Sequence, residues 1–171
     1  MKELILYSSI TGNTKKLADA IHEELPHVAF MKTQDFIEDR IHDYDIFYIG
    51  YWVDKGNVDP VTQKVLQMMK DKKIVFFGTL GAGENTGYYS MVKQRVESNA
   101  MDNRIIGHFL CQGAVNDAVI QRYQKMIIDH PDDEHMKQQL ENYEKGKSHP
   151  DEQALINVKE FIKNLSIDSI Q

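Results

Sequence analysis

Four short apolar runs constrain this chain more than any other feature: Leu4-Ile5-Leu6-Tyr7, Ile46-Phe47-Tyr48-Ile49, Ile74-Val75-Phe76-Phe77 and Ile105 to Cys111. None alternates with polar residues, as a strand with one wet face would. They predict strands covered on both sides, the condition of a parallel sheet. A fifth, weaker run, Val28-Ala29-Phe30-Met31, predicts one more strand. Helical spacings fill the gaps. Leu17, Ala18, Ile21 and Leu25 share one face, ended by Pro26. Val61, Val65, Leu66 and Met69 share another, behind an Asp59-Pro60 start that suits an N-cap and first position. Tyr88, Tyr89, Val92 and Val96 make a third, and Leu155, Val158, Ile162 and Leu165 a fourth, begun by Pro150-Asp151. Strand and helix alternate, so the chain reads as α/β, with right-handed crossovers and helices on both sheet faces.

The length of 171 residues fits one domain, residues 1–171. The stretch 112–149 interrupts the alternation. It predicts two further helices, around Asn116–Asp129 and Asp132–Lys145, inserted on the surface before the last helix. The second is highly charged, with a thin apolar stripe of Met136, Leu140 and Tyr143. A net charge of −6 argues against nucleic acid or an anionic membrane as partner. The single cysteine, Cys111, allows no internal disulfide and fits a reducing compartment. The apolar start, Leu4 to Tyr7, is too short for a signal peptide, and a cytoplasmic location is expected.

The chemistry begins where the first apolar run ends. YSSITGNTKKLA places hydroxyls at Ser8, Ser9, Thr11 and Thr14, with Gly12 and Asn13 between the last two. This loop leaves the carboxyl end of a strand and opens a helix, where ligands of open α/β sheets bind. The first N–H groups of a helix lack internal partners and favour an anion. Gly12 permits close approach, and the hydroxyls of Ser9, Thr11 and Thr14 can donate to phosphate oxygens. Simple helix capping would account for Asn13 or Thr14 but not for the rest. A P-loop would need an earlier glycine and a Gly-Lys-Ser/Thr end, and a dinucleotide fold would need G-x-G-x-x-G; both are missing.

Ser9-Ile10-Thr11-Gly12-Asn13-Thr14 resembles the phosphate loop of flavodoxins, [ST]-x-T-G-x-T, which binds the FMN phosphate. The resemblance covers residues 1–111 and the last helix. It implies a flavodoxin-like three-layer sandwich with a five-stranded parallel sheet in order 2-1-3-4-5, and FMN at the edge of the sheet. It further implies that the loop Gly50-Tyr51-Trp52-Val53-Asp54-Lys55-Gly56-Asn57 flanks the flavin ring. Trp52, the only tryptophan, suits stacking on a flat ring, and Tyr51 competes for that role. The Gly56-Asn57 peptide is a weaker match to the glycine peptide that turns over when flavin N5 gains a proton. The next loop, Gly78-Thr79-Leu80-Gly81-Ala82-Gly83-Glu84-Asn85-Thr86-Gly87-Tyr88, carries four glycines in ten residues, which suggests close backbone approach to a ligand. In flavodoxins this loop meets the pyrimidine edge of the ring, with Glu84 and Tyr88 as loose matches to the acidic and stacking residues there.

The expected function is electron transfer on bound FMN, to and from redox partner proteins, including an acceptor reductase. Acidic neighbours such as Asp54 or Glu84 would disfavour the anionic reduced flavin. No residue is expected to act as acid, base or nucleophile. The alternative is an NAD(P)H-dependent flavin or quinone reductase on the same fold. A receiver domain is disfavoured because Ser8-Ser9 and Gly50-Tyr51 stand where its acidic residues belong. Cys111 reads as a small buried hydrophobe, and His130 and His135 as residues of a solvated helix start with Pro131 at its first position rather than metal ligands. The segments TGNTKKLA, GYWVDKG, FFGTLGA and GHFLCQGAV, and the start of the last helix, more closely resemble flavodoxin-like proteins of the BilS type, associated with bilirubin reductase. That implies an electron-supplying or accessory role beside a bilin reductase, by a monomer or homodimer, with Asp132–Lys145 as a candidate docking surface.

Overall fold

The computed structural model describes residues 1–165. Its strands are β1 (Glu3–Tyr7), β2 (Ala29–Lys32), β3 (Ile46–Asp54), β4 (Asn57–Val58), β5 (Lys73–Leu80) and β6 (Arg104–Gln112). Its α-helices are α1 (Asn13–Glu24), α2 (Pro60–Met68), α3 (Thr86–Glu97), α4 (Asp117–Asp129), α5 (Glu134–Lys145) and α6 (Glu152–Asn164). The main sheet runs β2-β1-β3-β5-β6 and is parallel throughout. This is the expected order once the two-residue β4, which pairs antiparallel with the end of β3, is set aside.

Successive side chains of a strand point to opposite faces, and each face has its own cover. Ile5, Ile46, Tyr48, Val75 and Phe77 pack under Leu17 and Ile21 of α1 and Val158 and Ile162 of α6. Leu4, Leu6, Phe47, Ile49 and Phe76 pack under Val65 and Leu66 of α2 and Val92 and Val96 of α3. Val61 departs from the predicted face of α2: it is 40% exposed, and Thr62 is buried instead. The reason is the helix cap, because Asp59 accepts from both the backbone N–H and the hydroxyl of Thr62 and turns that side inward.

Two boundaries differ from the expected loops. Strand β3 continues through Trp52 to Asp54 and closes a hairpin with β4 through Lys55 and Gly56, both at positive φ (49° and 76°). Such a two-residue turn matches the right-handed twist of its strands. Strand β5 likewise takes in Gly78, Thr79 and Leu80, which pair with Leu110, Cys111 and Gln112 of β6. The two inserted helices are present, held to each other by an edge-on contact of Tyr123 and Tyr143. Pro131 lies ahead of α5 rather than at its first position, and Asp133 is the cap. Among the described residues no helix is long and apolar enough to cross a membrane.

One polar chain runs into the core. The Tyr51 hydroxyl lies 2.7 Å from Nε2 of His108, whose Nδ1 lies 2.7 Å from a Glu97 carboxylate oxygen. A neutral imidazole that donates to Glu97 and accepts from Tyr51 satisfies all three groups. Burial holds the His108 pKa down to about 4, against the pull of Glu97 upward. The unfolded chain therefore binds a proton at His108 below its ordinary value of 6.5 that the folded chain refuses until pH 4. Stability contributed by the neutral ring falls as the pH drops across that window, by about 3 kcal/mol. Urea unfolding at pH 7 and pH 4.5 should show a smaller acid loss in His108→Gln than in the wild type. Equal losses would mean that His108 is not the group that titrates.

Candidate functional site

The carboxyl ends of β1, β3 and β5 open onto a cavity of about 350 Å³. Ser9, Ile10, Thr11, Asn13 and Thr14 form one side. Trp52 and Val53 form a second, and Thr79, Leu80 and Gly81 a third. The volume lies in the range of small-molecule sites, and Trp52 is half-buried on its wall.

The anion end is built by an omission. Asp59, Asn85, Asn116, Asp133 and Asp151 each cap their own helix with a side-chain oxygen. Of the α-helices among the described residues, α1 alone has no side-chain cap: its N-cap is Gly12, at φ 91° and ψ −3°. A Cβ at Gly12 would meet nothing within 4 Å. The first turn of α1 thus has no side-chain cap, and its Asn13 and Thr14 line the cavity. The other loop groups have distinct tasks. Ser9 Oγ accepts from Gly12 N (3.1 Å), which shapes the loop and leaves its own hydrogen to donate. Asn13 Nδ2 donates to the Ala114 carbonyl (2.7 Å). Thr14, 1% exposed, donates to the Tyr51 carbonyl (3.1 Å) and lies 3.0 Å from Thr79 Oγ1. Neither Asn13 nor Thr14 caps the helix. The hydroxyl of Thr14 is engaged inside the protein, so the donors left for an anion are Ser9, Thr11 and the backbone.

Six residues read as flavin contacts lie away from this cavity. The Tyr51 side chain is 0% exposed, locked between Phe76 and His108 in the core, and so is not available for stacking. Asp54 and Gly56 belong to the β3–β4 hairpin, and the Gly56 carbonyl faces Arg95. Gly83, Ala82 and Tyr88 line an adjoining cleft with His135, Gln139 and Asn142. The glycines of this stretch make room for the protein itself: a Cβ at Gly81 would stand 2.4 Å from Val115, and one at Gly83 3.2 Å from Asn142. Glu84 is exposed.

A further wall was not foreseen. Gly113, Ala114, Val115, Asn116 and Val119 also line the cavity. The segment is fixed by Gly113 N to Leu80 O (2.8 Å) and by Gln112 Nε2 to the Asn142 carbonyl (3.1 Å). The signal was available in Gly113-Ala114-Val115, since β6 ends at the same sheet edge as the other strands. Reading residues 112–149 as a surface insertion hid it. Burial pushes the Cys111 thiol up to about 12, which disfavours the reactive thiolate. Among the described residues no cluster of His, Cys, Asp or Glu could hold a metal.

A family model described as the flavodoxin domain matches residues 4–163. A flavodoxin-like domain-containing protein BilS from Clostridioides difficile (strain CD3) is 42% identical over 171 residues, 98% of this chain and 97% of its own. A protein of the same description from Clostridium symbiosum (strain WAL-14163) is 29% identical over 182 residues, 95% of this chain and 94% of its own. Among solved structures, a flavoprotein in complex with FMN from Lactobacillus acidophilus NCFM is similar at a TM-score of 0.50 and 25% identity, over 64% of this chain and 92% of that one. Oxidised Flavodoxin 2 from Bacillus cereus shares the fold at a TM-score of 0.50 and 19% identity, over 84% of this chain and 94% of that one.

Proposed function

The chain belongs to the flavodoxin domain family, and from that premise we propose that it binds FMN and carries electrons from a donor protein to a partner reductase. The observation that carries this reading is the uncapped first turn of α1, opening onto a cavity walled by the only tryptophan. The residues present fit the cofactor. The α1 N–H groups with Ser9 and Thr11 would hold its phosphate. Trp52, Leu80, Val115 and Val119 would enclose its ring in apolar surface. FMN, when bound, supplies the one- and two-electron chemistry. The chain's part is to bind the cofactor, to orient it and to exclude water.

A carrier, rather than a stand-alone reductase, is favoured by the character of the walls. No side chain lining the cavity among the described residues is Asp, Glu, His, Lys, Arg, Tyr or Cys. The chain thus offers no acid or base to a second substrate there. The resemblance to BilS-type proteins makes a bilin reductase the acceptor to test first. The purified protein should show a flavin spectrum, and the released chromophore should run as FMN at about one per chain. The reduced protein should pass its electrons to the reductase, and it should oxidise NAD(P)H no faster than free FMN does. Rapid NAD(P)H turnover by the isolated protein would overturn the carrier reading. A colourless protein that ignores added FMN would overturn the whole of it.

A further inference from the structure

Asp59 is 0% exposed, a buried carboxylate, and it does more than cap α2. Its Oδ1 accepts from Thr62 N (3.0 Å) and from Ser8 Oγ (3.0 Å). Its Oδ2 accepts from Thr62 Oγ1 (2.8 Å) and from Trp52 N (3.3 Å). Its own N–H donates to the Trp52 carbonyl (3.1 Å). Both peptide groups of Trp52 are thus tied to one residue. So is Ser8, which follows β1 and leads into the loop at Ser9, and whose own N–H is bound to the Gly50 carbonyl (2.9 Å). A cap alone needs only the bond from Thr62 N.

We infer that Asp59 is a positioning residue that clamps Trp52 to α2 and to the start of the anion loop, so that the two ends of the cofactor cavity are set from one buried carboxylate. The inference rests on the FMN reading for its functional meaning and on the contacts above for its geometry. Each carboxylate oxygen faces a backbone N–H that cannot turn away. An asparagine has one oxygen and one NH2, so it must set donor against donor on one side. Asn is a favoured N-cap and keeps the shorter bond to Thr62 N. Its NH2 then opposes Trp52 N–H, so Trp52 loses its bond to the side chain and keeps only the carbonyl bond from the backbone N–H of residue 59, while α2 stays capped.

The single tryptophan makes the test direct, because all tryptophan emission comes from residue 52. In FMN-free protein, Asp59→Asn should raise acrylamide quenching of that emission about twofold, with far-UV CD unchanged. FMN affinity should fall about tenfold, the loss of one charge-assisted hydrogen bond. Ser8→Ala, which leaves the cap intact, should move both readings in the same direction by less. Asp151→Ala removes the cap of α6, and should lower stability without touching Trp52 quenching. Unchanged quenching in Asp59→Asn, or an equal rise in Asp151→Ala, would overturn the clamp. A wild type that binds no FMN, with Trp52 still loosened by Asp59→Asn, would sustain the clamp and sink the cofactor assignment instead.

Discussion

Replacing Gly12 by aspartate should abolish FMN binding while leaving the protein folded. The side chain has room, since nothing lies within 4 Å of a Cβ built at Gly12. The backbone there, φ 91° and ψ −3°, is left-handed, a conformation that Asp enters more readily than most residues, at about 1 kcal/mol. Set against that strain, a carboxylate at the one uncapped α-helix N-terminus among the described residues gains a cap of about 1 kcal/mol. Stability in urea should therefore stay within about 1 kcal/mol of the wild type. Binding behaves differently, because the new carboxylate takes the first-turn N–H groups that a phosphate would use and repels its charge. Two or three charge-assisted bonds at about 1.5–3 kcal/mol each correspond to a loss of at least about a hundredfold. Flavin fluorescence titrations of FMN-free protein measure it, and riboflavin, which lacks the phosphate, provides the control. FMN should fall to the affinity of riboflavin, which should itself be unchanged. An FMN affinity untouched by Gly12→Asp would mean that this loop does not hold the phosphate, and that α1 is left uncapped for some other reason.

That variant rests on the part of the site most legible in the sequence. The anion loop shows as a chemical pattern because phosphate binding uses backbone and small hydroxyl residues, and these are contiguous. The sheet was legible for a similar reason: a strand covered on both faces must be apolar at every position, so β1, β3, β5 and β6 announce themselves. What stayed hidden depends on partners distant in sequence. Thr14 looks like a free donor until Tyr51 and Thr79 are brought beside it. Asp59 looks like an ordinary cap until Ser8 and Trp52 arrive. Tyr51 and Trp52 are neighbours in a strand, so one had to face the core and the other the opposite side, and local sequence does not say which. The register decides: Tyr51 pairs with Gly78 and Trp52 with Thr79.

The same register gives the largest expected loss of stability from a single methyl group. Gly50 pairs with Phe77, and Tyr51 with Gly78, so that each glycine faces an aromatic residue on the neighbouring strand. The rings lie across the glycines. A Cβ at Gly78 would stand 2.3 Å from Cζ and 2.7 Å from both Cε atoms of Tyr51, and one at Gly50 would stand 2.4 Å from Cε2 of Phe77. The Tyr51 ring has nowhere to retreat, because its hydroxyl is held by His108 and the ring packs at right angles against Phe76. Gly78→Ala should then cost about 3 kcal/mol, at the upper end of overpacking. Removing the ring should remove the conflict. In a Tyr51→Val background, itself destabilised by a cavity, the same alanine should cost under about 1 kcal/mol, a coupling that a double-mutant cycle reads directly. A glycine kept free for a cofactor predicts the reverse: Gly78→Ala would weaken FMN binding, spare stability, and show no coupling to Tyr51. Equal costs of Gly78→Ala in both backgrounds would therefore put the Tyr51 ring somewhere other than the core and reopen it as a partner of the flavin.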